Sequence, residues 1–135
     1  QVRDELARTE DEIARVAGVR PRLFRPPYGQ LNVEVVREII RMDYKIILWN
    51  VDSLCWAGLN GPQIATNVLM HMQPGGIVLM HSAGGVSRAP TAQALPYIIE
   101  ITRAAGYTFT TVPELLNISP YKSAEGRATD TSTDN

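Results

Sequence analysis

The run Lys45-Ile46-Ile47-Leu48-Trp49 restricts the fold of this chain more than any other stretch. After its first residue the run is continuously apolar, which is typical of a strand buried on both faces of a parallel sheet. A second run of this kind covers residues 77–80. Parallel strands need long crossover connections, which are usually helical. The sequence therefore predicts an α/β fold.

The stretches between the apolar runs have helical periodicity. Asn32 predicts an N-cap for one helix, with Val36, Ile39 and Ile40 on its buried face. We predict helices over residues 2–17, 33–42, 63–73 and 89–105, a short helix from Pro113, and strands over residues 23–24, 45–49, 77–80 and 107–112. This alternation favours right-handed crossovers and a parallel sheet or part of a barrel.

Composition narrows the class of protein. A length of 135 residues, a net charge of −1 and an apolar share of 44% fit one globular domain. We expect no nucleic-acid partner, since no Lys/Arg block occurs, and no transmembrane segment, since the apolar runs are short. Residues 1–120 are predicted to fold and residues 121–135 to form a disordered tail. Any targeting signal is expected outside this chain.

Three polar residues follow the ends of predicted strands, namely Arg25, Asp52 and His81. Each also has an ordinary explanation: Arg25 as a surface residue beside a turn, Asp52 as a turn or cap residue, and His81 as a core histidine. In an α/β barrel the carboxyl ends of the strands converge on one face, where catalytic residues tend to lie. We therefore expect these three residues to form one site.

The corner Arg25-Pro26-Pro27-Tyr28-Gly29 is conformationally restricted. Two prolines fix φ twice and remove two N–H donors, and Gly29 permits a turn that a Cβ would resist. A loop that only joins two elements needs none of this. The sequence thus indicates a loop that presents a guanidinium and a backbone amide in fixed places.

The other candidate residues carry weaker signals. Trp56 suits the apolar face of a sugar ring but equally suits packing against its loop, whereas Trp49 is expected to pack within its strand. We interpret His71 as an ordinary helix residue. Cys55 has no His or Cys partner at metal-ligand spacing and is expected to be inert. The sequence contains no nucleophile elbow, P-loop or dinucleotide-binding glycine motif.

The segments Arg25-Pro26-Pro27-Tyr28-Gly29, Asp52-Ser53-Leu54-Cys55-Trp56 and Leu79-Met80-His81 resemble, in this order, three consecutive motifs of the polysaccharide deacetylases of the NodB-homology type, carbohydrate esterase family four. Gly106-Tyr107 and Pro113-Glu114-Leu115-Leu116 are similar to the C-terminal end of that family. The resemblance implies a distorted (β/α) TIM-like barrel, a divalent metal that is often zinc, and hydrolysis of N- or O-acetyl groups on a polysaccharide.

Two motifs of the family do not occur in this sequence. Thr-Phe-Asp-Asp-Gly supplies the family's catalytic base and one metal ligand, and His-x-x-x-His supplies two more ligands. The chain therefore resembles the C-terminal half of a deacetylase domain, with no metal ligand of its own. The resemblance implies that a companion N-terminal segment or chain carries the base and binds the metal. Cys55 stands where many relatives have an acid.

The resemblance also implies a role for each residue of the site. Arg25 orients the base, and the backbone amide of Tyr28 stabilises the oxyanion. His81 protonates the departing amine as a general acid, while Asp52 stabilises the imidazolium. The expected substrate-binding residues are Pro26, Trp56 and Leu79.

The leading functional hypothesis is metal-dependent N-deacetylation of N-acetylglucosamine in peptidoglycan or a chitin-like polymer. One alternative is an acetylxylan esterase of the same family, and another is a non-catalytic carbohydrate-binding relative. An unrelated α/β enzyme is disfavoured because no phosphate-binding loop occurs. An extracellular or cell-wall location of bacterial type is expected.

Overall fold

The computed structural model describes residues 1–85 and 87–123. The chain forms two compact units, one of Gln1–Ile47 with the segment that begins at Ile118, and the other of Leu48–Asn117. Each unit contains helices and one pair of parallel strands. The predicted α/β class with parallel strands is confirmed.

The first unit alternates helices with two short strands. Its elements are helix α1 (Val2–Ala17), strand β1 (Leu23–Phe24), helix α2 (Val33–Arg41) and strand β2 (Lys45–Ile46). β1 and β2 are parallel, with Leu23 opposite Lys45 and Phe24 opposite Ile46. The predicted cap is confirmed, because Oδ1 of Asn32 accepts a hydrogen bond from the Val35 amide at 2.8 Å.

A small apolar core fills the first unit. Ile39, Tyr44 and Ile47 are buried, and the Phe24 ring meets the Tyr44 ring edge-on at 6.1 Å between centroids. Ile40, predicted to be buried with Ile39, is instead 62% exposed. Neighbouring residues of a helix point about 100° apart, so Ile40 falls outside the narrow face that α2 buries.

Glu10 of α1 is a buried carboxylate that contacts three other side chains. It accepts hydrogen bonds from Nη1 of Arg20 at 3.0 Å and from the hydroxyl of Tyr44 at 2.7 Å, and it binds the ammonium of Lys122. The Lys122 ammonium also lies 3.8 Å from the centroid of the Tyr44 ring. We call these four residues the Glu10 network. It joins the C-terminal segment to the helix at the start of the chain.

This contact differs from the expectation of a disordered tail over residues 121–135. Tyr121 forms an antiparallel bridge with Pro21, and the amide of Lys122 donates to the carbonyl of Arg20 at 2.9 Å. The physical reason is the buried Glu10 carboxylate, whose charge requires a nearby cation. Residues 124–135 of the predicted tail lie outside the described residues.

The second unit packs two helices beside its strands. Its elements are strand β3 (Val51–Asp52), helix α3 (Gly61–His71), strand β4 (Val78–Leu79), helix α4 (Ala89–Ala104) and helix α5 (Val112–Leu116). β3 and β4 are parallel, with Val51 opposite Val78 and Asp52 opposite Leu79. The buried core consists of Val51, Cys55, Ile64, Ala65, Val68, Ala94 and Ile98.

Two strand predictions are wrong in detail. Residues 45–49 do not form one strand, because β2 ends at Ile46 and β3 begins at Val51. Oδ1 of Asn50 accepts a hydrogen bond from the Ile77 amide at 2.7 Å. Just before β3, this side-chain oxygen therefore takes the place of a backbone carbonyl as the acceptor. Residues 107–112 contain no strand, since the hydroxyls of Thr110 and Thr111 donate to the Glu114 carboxylate and cap α5.

No helix in the described ranges has the combination of length and apolar character that spanning a bilayer requires.

Both strand pairs end next to the motif residues, with Arg25 directly after β1 and Asp52 as the last residue of β3. His81 comes two residues after the end of β4. The fold therefore places each predicted residue at the carboxyl end of a parallel strand.

Candidate active site

The Arg25 corner lies wholly within the first unit. Arg25 is exposed, and its Nε donates to the carbonyl of Ile47 at 3.2 Å. Pro26, a predicted substrate-binding residue, is buried within the corner. A 3-10 turn, Pro27–Gly29, follows and is closed by the Gly29 amide donating to the Pro26 carbonyl at 3.1 Å.

Tyr28 has an unusual backbone conformation within this turn. Its φ of 58° and ψ of 10° place a non-glycine residue in the left-handed region, which costs roughly 1–3 kcal/mol. The side chain is 92% exposed, so packing does not compensate this cost. Among the hydrogen bonds of the described residues, none engages the Tyr28 amide. The turn is thus suited to present that N–H to an anionic oxygen.

The loop after β3 is shaped by its own side chains. Oδ1 of Asp52 accepts the Leu54 amide at 2.9 Å, and Leu54 adopts a left-handed conformation with φ of 54°. Oγ of Ser53 accepts the Cys55 amide at 3.3 Å, and Ser53 itself is fully buried. Nδ2 of Asn67 donates to the Ser53 carbonyl at 3.4 Å. These local bonds fix the direction in which the chain enters the next turn.

Cys55 and His81 form a contact that the sequence did not predict. Sγ of Cys55 lies 3.3 Å from Nδ1 of His81, and Cys55 is only 3% exposed. The expectation that Cys55 is inert rested on the absence of a partner at metal-ligand spacing, and it requires correction because the fold supplies His81. We call these two residues the Cys55–His81 pair.

Arg88 is a second residue that sequence reasoning missed. Its guanidinium donates to three carbonyls: Nη1 to Cys55 at 3.1 Å, Nε to Ala83 at 3.3 Å, and Nη2 to Gly84. Arg88 therefore holds the loop after β3 and the loop after β4 together. Backbone carbonyls leave no motif in a sequence, so only its position at the start of a helix after a glycine-containing loop could have drawn attention to it.

A cavity of about 340 Å³ lies beside His81. It is lined by Met80, His81, Ser82, Arg88, Thr91, Ala92 and Leu95. The hydroxyl of Thr91 is buried and has no hydrogen-bond partner among the described residues. An imidazole, a hydroxyl and apolar side chains thus border one space large enough for a small polar group.

The remaining predicted residues have varied surroundings. Leu79 is buried within β4, and its carbonyl accepts the Ser53 amide at 3.3 Å. Trp56 is 54% exposed, which leaves its ring available to a ligand. Nδ1 of His71 lies 2.8 Å from the carbonyl of Asn67, one turn earlier on exposed α3, in agreement with an ordinary helix residue.

Asp52, Cys55 and His81 belong to the second unit, whereas Arg25 and Tyr28 belong to the first. Within the second unit the structure brings His81 to Cys55 rather than to Asp52. In the part of the chain that the structure describes, no hydrogen bond joins Asp52 to His81.

The residues present do not fit the divalent metal that the family resemblance implies. Residues 1–85 and 87–123 contain no group of three or more His, Cys, Asp or Glu side chains that could hold a metal ion. The Cys55–His81 pair supplies only two donor atoms, and tetrahedral zinc sites in proteins need three or four protein ligands. We therefore derive no chemical step through a metal.

Known proteins resemble this chain over most of its length. The family model described as polysaccharide deacetylase matches residues 1–47. A peptidoglycan-N-acetylglucosamine deacetylase of Bacillus cereus is 31% identical over 119 residues, which are 88% of this chain and 43% of that protein. The chain thus spans less than half the length of this relative.

Solved structures give the same result. The Bc1960 peptidoglycan N-acetylglucosamine deacetylase matches with a TM-score of 0.85 and 30% identity, over 90% of this chain and 56% of that one. BA3943, a CE4 family pseudoenzyme from Bacillus anthracis, matches with a TM-score of 0.77 and 30% identity, over 85% of this chain and 39% of that one. Agreement of both sequence and fold at this level shows common descent. The chain is thus similar in sequence and in fold to the polysaccharide deacetylases, carbohydrate esterase family four.

Proposed function

We propose that this protein removes acetyl groups from a polysaccharide, by N-deacetylation of N-acetylglucosamine in peptidoglycan or a chitin-like polymer. The observation that carries the proposal is the His81 imidazole, which borders a cavity at the carboxyl end of β4 and has its Nδ1 occupied by a neighbouring side chain. Such an imidazole has its second nitrogen, Nε2, available for proton transfer. Residues 1–120 would form the C-terminal portion of a distorted (β/α) TIM-like barrel.

His81 acts as the general acid in this proposal. Water first adds to the acetyl carbonyl carbon and loses a proton to the base. As the carbon–nitrogen bond of the resulting tetrahedral intermediate breaks, its electron pair goes to the nitrogen, which takes the proton from Nε2 of His81, and the acetyl group leaves as acetate. The imidazolium becomes a neutral imidazole and the sugar amine leaves. Proton transfer by a positioned side chain contributes about 10²–10⁴-fold to the rate.

The Arg25 corner has two roles in the proposal. The backbone N–H of Tyr28 donates to the oxyanion of the tetrahedral intermediate, an interaction whose removal in other enzymes costs about 10²–10³-fold in kcat. The left-handed backbone of Tyr28 supports this role, because strained residues persist where a fixed amide is useful. The guanidinium of Arg25 orients the carboxylate that acts as base.

The base and the metal ligands belong, in this proposal, to a companion N-terminal segment or chain. Support comes from the coverage of the relatives, since this chain spans 43% of the Bacillus cereus protein. The divalent metal, zinc in the simplest case, would be held by that segment. Intact-mass measurement of the active protein tests this: an active species with no polypeptide beyond this chain would contradict it.

We also propose an extracellular or cell-wall location, because that is where peptidoglycan is found. The names of the relatives that act on peptidoglycan support this choice. Fractionation of cells that express the full-length protein, followed by detection in the wall and the medium, tests the location. Detection only in the cytoplasm would contradict it.

A non-catalytic relative is a second candidate, because the similar BA3943 is a pseudoenzyme. Cys55 favours this alternative to the extent that a neutral thiol partners His81 more weakly than a charged group would. An acetylxylan esterase remains a third possibility within the same chemistry.

One experiment separates these candidates. Acetate release by the full-length protein is measured on peptidoglycan, chitin oligomers and acetylxylan, with His81→Gln as the test variant and His71→Gln as the matched control on an exposed helix face. We expect release from a polymer of N-acetylglucosamine, a loss of at least about 10²-fold in His81→Gln, and no loss in His71→Gln. Binding of polysaccharide without acetate release would overturn the proposal in favour of the pseudoenzyme.

A further inference from the structure

We propose that Cys55, rather than Asp52, positions the imidazole of His81, by holding Nδ1 so that Nε2 is the nitrogen that transfers the proton. This inference rests on the proposed function and names one of its positioning residues. It concerns the position at which the sequence has Cys55 where many relatives have an acid.

The first observation is the contact itself. The Sγ–Nδ1 distance of 3.3 Å lies within hydrogen-bonding range for sulfur. Cys55 is 3% exposed, so water does not compete for its thiol. A hydrogen bond at one ring nitrogen of a neutral histidine determines whether that nitrogen or the other one carries the proton.

The second observation is that Cys55 is held from several directions. The Cys55 amide donates to Oγ of buried Ser53 at 3.3 Å, and Nη1 of Arg88 donates to the Cys55 carbonyl at 3.1 Å. The side chain also belongs to the buried core that contains Val51 and Ile64. The sulfur therefore has a fixed position, as a positioning residue requires.

The third observation is that Asp52 has another task. Its Oδ1 accepts the Leu54 amide at 2.9 Å, and this bond supports the left-handed conformation of Leu54 directly before Cys55. Asp52 thus supports the loop that carries Cys55 and acts on His81 through that loop. This reassigns the role expected for Asp52 from contact with the imidazolium to support of the turn.

The chemistry of the pair is balanced at each stage. In the imidazolium form both ring nitrogens carry a proton, and Nδ1–H donates to the sulfur. Transfer of the Nε2 proton to the leaving nitrogen leaves a neutral ring that still has Nδ1–H directed at the sulfur. Because the same hydrogen bond exists before and after the transfer, the ring does not need to rotate during the reaction.

Charged residues also lie near the Cys55–His81 pair. Arg88 lines the same cavity and opposes a positive charge on the ring, while Asp52 ends the neighbouring strand β3. A carboxylate at position 55 would add a negative charge in direct contact with Nδ1. Cys55→Asp therefore offers Nδ1–H a charge-assisted hydrogen bond that is stronger than the one to sulfur.

The test uses the full-length protein labelled with ¹⁵N in its histidine rings, with the His81 signals assigned by their loss in His81→Gln. We expect Cys55→Ala to move the Nδ1 signal and to lower kcat about tenfold with KM nearly unchanged, a smaller loss than removal of a charged orienting partner causes. Cys55→Ser, which keeps a hydroxyl at the same place, should recover most of the activity. Cys55→Asp, which supplies a charged acceptor at the same place, should keep kcat at least at the level of the unsubstituted protein.

Asp52→Asn is the matched variant, since an amide oxygen can still accept the Leu54 amide. It should leave both ring ¹⁵N signals of His81 where they are. If Asp52→Asn moves these signals while Cys55→Ala does not, the proposal is overturned. If the signals respond as expected but no polymer releases acetate, the positioning by Cys55 is supported and the proposed function fails.

Discussion

Glu10 is buried and His81 is partly buried, and the two side chains have very different surroundings. The Glu10 carboxylate receives hydrogen bonds from Arg20 and Tyr44 and binds the ammonium of Lys122. Burial by itself raises the pKa of Glu10, but these bonds outweigh that effect and hold the pKa below its usual value of 4.5. Glu10 is a charged group whose bonding capacity is largely used within the protein.

Among the described residues, His81 has one side-chain partner within hydrogen-bonding distance. Sγ of Cys55 occupies its Nδ1, and the ring borders a cavity of about 340 Å³. Sulfur is a weak hydrogen-bonding atom, so the contact orients the ring without binding it tightly.

The difference separates a structural site from a reactive one. A buried charge with several charged or strong donors stabilises one arrangement of the chain and leaves little capacity for a ligand. A ring with one weak partner beside open space contributes little to stability but can exchange a proton. The comparison predicts that substitutions in the Glu10 network lower stability and leave turnover unchanged. Substitutions near the Cys55–His81 pair should lower turnover and leave stability nearly unchanged.

The largest expected effect is that of Glu10→Gln on stability. This change removes the negative charge that compensates the positive charges of Lys122 and Arg20. Removing one partner of a buried ion pair typically lowers the free energy of unfolding by about 3 kcal/mol or more. Urea unfolding of the full-length protein measures the loss, with Glu12→Gln on the exposed face of α1 as the control. Unchanged unfolding, or a fall in kcat measured well below the unfolding range, would break the comparison.

The dependence of stability on pH is the second prediction. Because the folded pKa of Glu10 is lower than in the unfolded chain, its contribution is fully present above about pH 4.5 and is lost as pH falls through the folded pKa. The pKa of Glu114 is lowered to about 2 by hydrogen bonds from Thr111 and Thr110, so it contributes in the same acidic window. Urea titrations from pH 7 to pH 3 should show a weaker acid dependence in Glu10→Gln than in the unsubstituted protein. Equal slopes would mean that Glu10 is not ionised against its partners.

The helices were largely predictable because their signals are local. Helix α1, Val2–Ala17, has the predicted bounds, and Asn32 caps α2 as expected. The strands were less predictable, since the apolar run at residues 45–49 could not reveal that the Asn50 side chain binds the Ile77 amide. A pattern of hydrophobicity does not reveal where a side-chain oxygen replaces a backbone carbonyl as a hydrogen-bond acceptor.

The positions of the motif residues at strand ends were predictable, but their side-chain contacts were not. The motif order placed Arg25, Asp52 and His81 at strand ends, where the structure has them. The partner of His81 could not be derived, because Cys55 and His81 are 26 residues apart and a thiol beside an imidazole has no sequence spacing of its own. Likewise Lys122 lies 112 residues from Glu10 in sequence. Contacts of this kind come from the tertiary fold alone.

Arg88→Met is expected to have an effect of intermediate size, on turnover rather than on stability. The change removes the hydrogen-bond donors to the carbonyls of Cys55, Ala83 and Gly84. The loops that carry Cys55 and His81 are then no longer connected by the Arg88 guanidinium. A small misplacement of a catalytic group costs a large factor in rate, and we expect a loss of about tenfold in kcat. Arg103→Met, at the exposed end of the same helix, is the control and should keep full activity. A larger effect on the free energy of unfolding than on kcat would show that Arg88 acts mainly on stability, as the Glu10 network does.

Tyr28→Phe is expected to have the smallest effect, and it tests which atoms of the Arg25 corner act. The Tyr28 side chain is 92% exposed and only its backbone amide is assigned a role, so removal of the hydroxyl should change kcat by less than about twofold. Acetate release by the full-length protein measures this, and urea unfolding should be unchanged because no buried contact is lost. A loss in kcat approaching that of His81→Gln would contradict the backbone assignment. It would mean that the left-handed turn presents the phenol to the substrate, and that the strain at Tyr28 serves the side chain rather than the amide.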